Sequence, residues 1–353
     1  MTPFNTNKEN VEMLPEFDRH TFVTYVSDKK TGLRAYIAIH RKNGNLPSFG
    51  ATRMWKYDSE KDALRDALRL SKMMSYKAAV AGLSCGGAKA VIIEPSGEYD
   101  RKALLVSFAD KLKLFKEHFV TGADVGLSQD DLFEMKKHAE NIVGLTIDPT
   151  YFTAMGLFQS VKCTLDHLYG TQNLTGRTFA IQGLGKIGSE LLGLIYDNAG
   201  TIYVSDIDTT RVVETKKKYP KVIVLPSDQI HKQTVDIFSP CALSHALNSQ
   251  IINDLACKSV VGGANNQLEN SAIGGLLHKL GVLYAPDYVV NAGGLIAVYD
   301  EYEYLERDEG RVVVKVSKIM DILEEIYNIS QAQNRATNEI ADLIAEKKFN
   351  SYE

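Results

Sequence analysis

Cysteine is scarce: Cys85, Cys163, Cys241 and Cys257 are the four in 353 residues, with no Cys-x-x-Cys and no His/Cys cluster beside them. A disulfide framework and a zinc site are therefore not indicated; the four read as buried thiols, and no metal is expected. Basic excess is lacking too. Forty Lys and Arg stand against 44 Asp and Glu, a net charge of -4, so neither nucleic acid nor an anionic membrane is an expected partner. No unbroken apolar stretch nears the ~20 residues that cross a bilayer. The first ten residues, Met1 to Asn10, hold no apolar core for export, and the expected location is the cytoplasm. Internal repeats and low-complexity linkers are also absent. What remains is an ordinary composition, 44% hydrophobic and 24% charged, in a chain long enough for two domains with a deep cleft between them.

Against that background one segment stands out, Tyr76-Lys77-Ala-Ala-Val-Ala-Gly-Leu-Ser-Cys-Gly86-Gly87-Ala88-Lys89, where two lysines twelve positions apart frame an apolar run. Lysine is rarely buried without a task. A desolvated ammonium beside another cation loses its proton more readily, so one lysine suits a neutral base and the other a charged anchor for an anion. Carboxylate binding with base catalysis is the chemistry implied. Gly86 and Gly87 let a substrate or another backbone approach, and Ala90-Val-Ile-Ile93 reads as a buried strand that would hold Lys89 rigidly. Taken alone, the segment also fits two solvated lysines around a turn.

Around it, Thr21–Val26 and Leu33–Ile39 are rich in β-formers, while Ser59–Met74 has helical periodicity, with Ala63, Leu64, Ala67, Leu68 and Leu70 forming an apolar stripe. A second unit opens near Asp148-Pro149, where proline breaks local structure, followed by a helix over Thr153–Leu168. Beyond Gly176, strands over 178–182, 201–205, 221–225, 236–238, 259–261 and 282–285 alternate with helical stretches such as Ser189–Asn198. Such alternation implies a parallel doubly wound sheet. From about Gly310, Val316, Met320, Leu323 and Tyr327 share one face of an amphipathic helix.

Thr178-Phe-Ala-Ile-Gln-Gly183-Leu-Gly185-Lys186-Ile187-Gly188 places a Gly-x-Gly-x-x-Gly turn between a strand and a helix. The first glycine permits the tight turn, the second lets backbone amides approach a pyrophosphate, and the third allows close helix–strand packing with the helix dipole facing the phosphates. The next strand ends in Asp206, 23 residues after Gly183, where a carboxylate accepts hydrogen bonds from the adenosine ribose and repels a 2′-phosphate. The cofactor expected is NAD rather than NADP.

Between the two units, Phe119-Val-Thr-Gly122-Ala-Asp124-Val-Gly126 ends a β-like run in an acid flanked by glycines. Asp124 fits a turn residue, or a group that exchanges protons with a substrate amine beside the lysines. Gly50-Ala-Thr-Arg-Met-Trp55, Ser75-Tyr-Lys77 with Gly86-Gly-Ala-Lys89, Thr121–Gly126, Ile181–Gly188, Pro240-Cys-Ala-Leu243, Ala264-Asn-Asn-Gln-Leu268 and Tyr284-Ala-Pro-Asp-Tyr-Val-Val-Asn-Ala-Gly-Gly294 together resemble the leucine/phenylalanine/valine branch of the glutamate dehydrogenase superfamily. The resemblance runs in order over nearly the whole chain.

It implies reversible oxidative deamination: an L-amino acid, NAD and water give a 2-oxo acid, ammonium and NADH. By position, Lys77 resembles the lysine that binds the α-carboxylate, Lys89 the base that activates water, and Asp124 the acid that shuttles protons at the amino group. Thr153, Ala242, Asn265 and Asn291 fall around the nicotinamide; Gly183, Gly185, Lys186, Ile187, Gly188 and Asp206 hold the pyrophosphate and ribose. Gly50 lies at the substrate, and Phe49, Gly122, Leu295 and Val298 line the side-chain pocket. The implied architecture is α/β in two domains. Residues 1–148 form the substrate-binding and oligomerisation domain of a homo-oligomer, residues 149–329 the Rossmann-type dinucleotide-binding domain, and a C-terminal helix over 330–353 packs back on the first.

Departures from the family pattern bear on substrate. Ala51 and Ala88 replace glycines, and a methyl at either place could crowd the carboxylate end. Gly122 stands where leucine enzymes tend to carry alanine, which enlarges the pocket, whereas Phe49 and nearby Tyr299 reduce it. No cation lines the pocket, which argues against glutamate. Two alternatives stand beside this reading: a 2-hydroxy-acid dehydrogenase using His245, and a catalytically silent NAD-binding regulator of the same fold.

Overall fold

The structure, a computed structural model, describes residues 11–242, 244–304 and 307–352. The reading of Met1 to Asn10, Leu243 of the Pro240 motif and the last residue of the expected C-terminal helix lie outside the described residues. The chain divides into two compact units. One holds the described residues up to Ala79, Ser84–Leu145 and those from Lys348 on; the other holds Val80–Leu83 and Thr146–Lys347.

The first unit contains β1 (Phe22–Asp28), β2 (Leu33–Ile39), β3 (Ser48–Trp55), α1 (Glu60–Val80), β4 (Ala88–Ile93), α2 (Arg101–Leu112), β5 (Phe119–Ala123) and α3 (Gln129–Lys136). Its sheet runs in the order β1-β2-β4-β3-β5. The β1–β2 and β2–β4 pairs are antiparallel, and β3 lies parallel to both β4 and β5. Every residue of β4 is buried because both sheet faces are covered. Period-two alternation sorts its side chains: Ala88, Ala90 and Ile92 join a core with Leu104 and Phe108 of α2, while Val91 and Ile93 pack with Ala63, Ala67 and Leu68 of α1. Lys89 shares the second parity, the side over which α1 lies. Helix α1 runs past the expected end at Met74 to Val80, so Lys77 stands in its last turn.

In the second unit come α4 (Pro149–Tyr169), β6 (Phe179–Gln182), α5 (Lys186–Ile195), β7 (Ile202–Ser205), α6 (Thr209–Lys218), β8 (Ile223–Val224), β9 (Ile237–Pro240), β10 (Ser259–Val260), α7 (Ser271–Lys279) and β11 (Leu283–Tyr284). Then follow α8 (Asp287–Val290), α9 (Gly293–Glu303), α10 (Glu309–Ser317), α11 (Ile319–Gln333) and α12 (Thr337–Phe349). The sheet is parallel throughout, in the order β11-β10-β9-β6-β7-β8. That is the doubly wound Rossmann order, with the reversal between β6 and β9.

Two helix boundaries differ from expectation for local reasons. Pro149 starts α4 instead of breaking the chain before it: it occupies the first helical turn, where its missing N–H costs nothing, and Asp148 caps the end by accepting from Thr150 N at 2.9 Å. The expected helix over 330–353 is the end of α11 and then α12, separated at Asn334, whose left-handed backbone (φ 51°) closes α11. The four cysteines are free; Cys85, Cys163 and Cys257 are buried and Cys241 is half-buried. No helix among the described residues is long and apolar enough to cross a membrane.

The first unit buries two histidines beside α1. His20 Nε2 meets the Leu68 carbonyl and Ser71 Oγ at 3.1 Å each, and His40 Nε2 faces Asp18 Oδ2 at 3.3 Å. The Phe349 ring, fully buried, closes over His40 and Tyr76 with centroids 5.7 and 5.2 Å away. Burial lowers the His20 pKa to about 4 and, with Arg41 adding, that of His40 to about 3. Burial works upward on Asp18, but Lys72 and His40 outweigh it and hold the carboxyl at about 2. Each histidine is neutral in the fold over a range where the unfolded chain, titrating near 6.5, takes up a proton. Their contribution to stability is complete above about pH 6.5 and is lost as pH falls toward 4 and 3, with Asp18 adding a further loss between 3.8 and 2. Urea unfolding followed from pH 7.5 to 4 should show a midpoint that declines steadily below about 6.5. A midpoint constant down to pH 4.5 would mean that the histidines are already charged in the native protein.

Candidate active site

Strand register assembles the lysine site of the first unit. Thr52 pairs with Ala90 across β3–β4 and Ala51 with Gly122 across β3–β5. One residue back from the Thr52–Ala90 pair, Lys89 on β4, Ala51 on β3 and Gly122 on β5 form a lateral row. Phe49 and Arg53 lie two residues either side of Ala51, on the same face by alternation. The strands approach closely where glycine permits: a Cβ on Gly50 would overlap the Ala88 carbonyl oxygen, one on Gly86 the Arg41 carbonyl, and one on Gly87 the Ser75 amide. The glycines before Lys89 thus serve backbone packing, and Gly87 N donates to Ser75 Oγ at 2.9 Å to tie the strand to α1.

Lys89 Nζ pairs with Asp124 Oδ2 at 2.7 Å, with the lysine side chain only 6% exposed. The same oxygen accepts from Arg53 Nε at 2.9 Å. Arg53 also reaches Asp66 Oδ2 at 2.9 Å, and Asp66 accepts from Tyr57 Oη and from Arg69, both at 2.7 Å. Burial lowers the Lys89 pKa; Arg53 adds to this while Asp124 opposes it. Burial alone would raise the Asp124 pKa, but Lys89 and Arg53 outweigh it and hold the carboxyl well below its usual range. Lys77 is half-buried at the end of α1. Sequence reasoning gave Arg53, Asp66 and Tyr57 no part; the available signal was the parity of Arg53 with Ala51.

Of the two alanines that depart from the family pattern, only Ala51 faces this row. Ala88 is fully buried in the opposite core, and its methyl points away from the Lys89 row. Gly122 is buried against Val143: a Cβ there would sit 3.3 Å from the Val143 carbonyl oxygen, and an alanine needs that carbonyl to give slightly. Leu295 and Val298 belong to α9 of the second unit, the first buried and the second half-buried.

The second unit carries the glycine turn that the sequence marks as a candidate nucleotide cradle. Gly183 adopts φ 97°, and a side chain there would meet Ala242 at 2.7 Å; a Cβ on Gly188 would overlap the Gly183 carbonyl oxygen. Gly185 differs, since its Cβ would meet only Arg211 Nη1, at 3.8 Å. It opens α5 with no side-chain cap, leaving the helix amides at Lys186 and Ile187 for an anion. Asp206, its side chain 6% exposed, accepts from Leu184 N at 2.6 Å and from Asp208 N at 2.8 Å, which fixes the carboxylate beside the turn. Gly183, Ser205, Asp206, Ile207 and Ala242 line a cavity of about 160 Å³. Arg211, with Nη1 3.9 Å from Asp206, is a cation beside the turn that the sequence reading missed.

Further along this unit, Asn291 Nδ2 donates to Asn265 Oδ1 at 3.0 Å, while Asn291 Oδ1 is buried without a hydrogen-bond partner. Thr153 Oγ1 donates to Pro149 O at 2.7 Å and lies where a Gly294 side chain would fall. The uncapped helix, the cavity at Asp206 and the orphaned amide oxygen fit a dinucleotide with a carboxamide at one end. His245 is exposed, with its backbone at φ 58°.

The profile described as Glutamate/Leucine/Phenylalanine/Valine dehydrogenase matches residues 144–350, and that described as Glu/Leu/Phe/Val dehydrogenase, dimerisation domain, matches residues 18–141. The chain is 35% identical to a leucine dehydrogenase of Bacillus cereus over 349 residues, 97% of this chain and 94% of that one. It is 37% identical to a phenylalanine dehydrogenase of Thermoactinomyces intermedius over 345 residues, 96% and 93% of the two chains. Among solved structures, the L-tryptophan dehydrogenase from Nostoc punctiforme is similar with a TM-score of 0.83 and 36% identity, covering 94% of this chain and 96% of that one.

The three turn glycines separate fold from binding. Gly188→Ala should cost about 3 kcal/mol and lower Tm by roughly 10 °C. Gly185→Ala, whose methyl would meet only Arg211 Nη1 at ordinary contact distance, should keep Tm within about 2 °C yet raise the dinucleotide Kd about tenfold or more, because a glycine at this turn position is what lets backbone amides approach a pyrophosphate. Thermal unfolding and calorimetric titration check both; equal loss of Tm in the two variants would remove Gly185 from the binding surface.

Proposed function

We propose that this chain, which belongs to the glutamate, leucine, phenylalanine and valine dehydrogenase family, catalyses NAD-dependent oxidative deamination of a hydrophobic L-amino acid. Amino acid, NAD⁺ and water give the 2-oxo acid, ammonium, NADH and a proton. The observation that carries the reading is the buried Lys89–Asp124 pair on the sheet face that Phe49, Ala51 and Gly122 share.

In this reaction Lys77 supplies the ammonium for the substrate α-carboxylate. Asp124, held anionic by Lys89 and Arg53, takes a proton from the substrate amine. Lys89, whose charged form burial disfavours, takes a proton from the water that adds to the imino carbon. The bound cofactor supplies one thing, acceptance of hydride from the substrate Cα. Gly183, Gly185, Lys186, Ile187 and Gly188 would hold its pyrophosphate, and Thr153, Ala242, Asn265 and Asn291 its nicotinamide end, where Asn291 Oδ1 offers an acceptor to a carboxamide N–H. Asp206 accepts from the ribose and disfavours a 2′-phosphate, since juxtaposed like charges cost several kcal/mol.

The four residues that the family resemblance assigns to the substrate side chain, Phe49, Gly122, Leu295 and Val298, are all uncharged. That supports aliphatic and aromatic side chains over glutamate; because one methylene is worth only about 1–3 kcal/mol, breadth across that series is part of the proposal. The same reading makes residues 1–148 the substrate domain of a cytoplasmic homo-oligomer and residues 149–329 the nucleotide domain. The family profile matched over 18–141 carries the description of a dimerisation domain, which supports self-association.

NADH formation at mildly alkaline pH with leucine, valine, phenylalanine, tryptophan and glutamate tests the reading. Turnover on the apolar substrates is expected, falling about a thousandfold in Lys89→Ala and about a hundredfold in kcat/KM with NADP⁺. NAD binding without turnover on any amino acid would replace the reading with a silent nucleotide-binding regulator.

A further inference from the structure

Arg53 stands between two carboxylates. It donates to Asp124 through Nε and to Asp66 through Nη1, both at 2.9 Å, and Asp66 is held in turn by Tyr57 and Arg69. Asp124 Oδ2 therefore accepts from two cations at once, Arg53 and Lys89. A lysine that works as a base must exist without its proton, and in that state Asp124 has lost one of its two counter-charges. An unpaired carboxylate in a desolvated site draws the proton back. The guanidinium keeps its charge at every working pH, and its planar fork reaches both acids at fixed geometry from one side chain.

We propose that Arg53, oriented by Asp66, is the fixed counter-ion of Asp124: it keeps this carboxylate paired while Lys89 is neutral, and so sets the pH range in which Lys89 acts as a base. The inference rests on the reading of Lys89 as the water-activating base. Arg53 acts through Asp124 and Lys89, which makes it a positioning residue. The charged and titratable groups joined to Lys89 through direct or shared contacts are Asp124 after β5, Arg53 of β3, and Asp66 and Arg69 of α1, with Tyr57 behind Asp66; Lys77 stands further along α1. Of these, Arg53 disfavours the Lys89 proton, while Asp124 and Asp66 favour it.

The test is kcat/KM against pH for the wild type, Arg53→Lys and Arg53→Gln, with folding checked by Tm. Losing the guanidinium leaves Lys89 as the principal partner of Asp124, so the midpoint of the alkaline rise should move up by about one unit or more in Arg53→Gln, a tenfold gain in proton affinity. Arg53→Lys, which keeps a charge but loses the planar fork that holds both acids at fixed geometry, should shift the same way by less, and it carries the test if Arg53→Gln does not fold. Activity reduced by the same factor at every pH, with the midpoint unmoved, would make Arg53 a strut between β3 and α1 and overturn the proposal. Titration of the Lys89 ¹⁵Nζ resonance, assigned by its loss in Lys89→Met, separates the inference from the reading beneath it. If the wild type turns over no amino acid, an upward shift of that resonance in Arg53→Gln still supports the counter-ion role, and an unchanged one defeats it.

Discussion

A buried ammonium needs a nearby opposite charge, and the first unit is arranged around meeting that need for Lys89. Removing one partner of a buried pair costs about 3–5 kcal/mol, against about 0–1 kcal/mol for an exposed one. The 2.7 Å contact between Lys89 and Asp124 belongs to the first class on the lysine side. To keep it, three parallel strands must hold register to within one residue, since a single slip would turn Lys89 into the apolar core that takes Ala88 and Ala90. The close-approach glycines, the Ser75 tether and the capping of Asp66 by Tyr57 and Arg69 all serve that registration.

The second unit solves a different problem with the same residue type. Its cradle relies chiefly on neutral groups: an uncapped helix start, a carboxylate fixed by two amides with Arg211 at 3.9 Å, and an amide oxygen left unpaired. Such groups suit directional hydrogen bonding to a polyanion rather than the neutralisation of one charge by another. Glycine appears at each turn position for a separate reason, either backbone angle, helix contact or open space, and the structure assigns one reason to each of Gly183, Gly188 and Gly185.

Much of this could be read from the chain because it is local. β2 falls at Leu33–Ile39 as its content of β-formers indicates, and the turn after β6 is written in its glycines. Strand β3, Ser48–Trp55, shows itself only as a motif, because Gly50, Ala51 and Arg53 break any β-former pattern; tertiary pairing on both sides makes it a strand. The burial of Ala88 away from the site was available from the two-residue period of β4, in which Ala88, Ala90 and Ile92 alternate with Lys89, Val91 and Ile93. The bridge from Asp124 through Arg53 to Asp66 was not, since it joins residues 71 and 13 positions apart, just after β5, on β3 and on α1.

Phe349 bears on how the protein is made. Its ring covers His40 and Tyr76 in the first unit, yet in sequence it follows every residue of the second. Chains emerge from the ribosome in order, and domains tend to fold as they appear. The first unit thus begins to form earliest and must wait, with part of its interior still open, until translation has passed through the whole of the other.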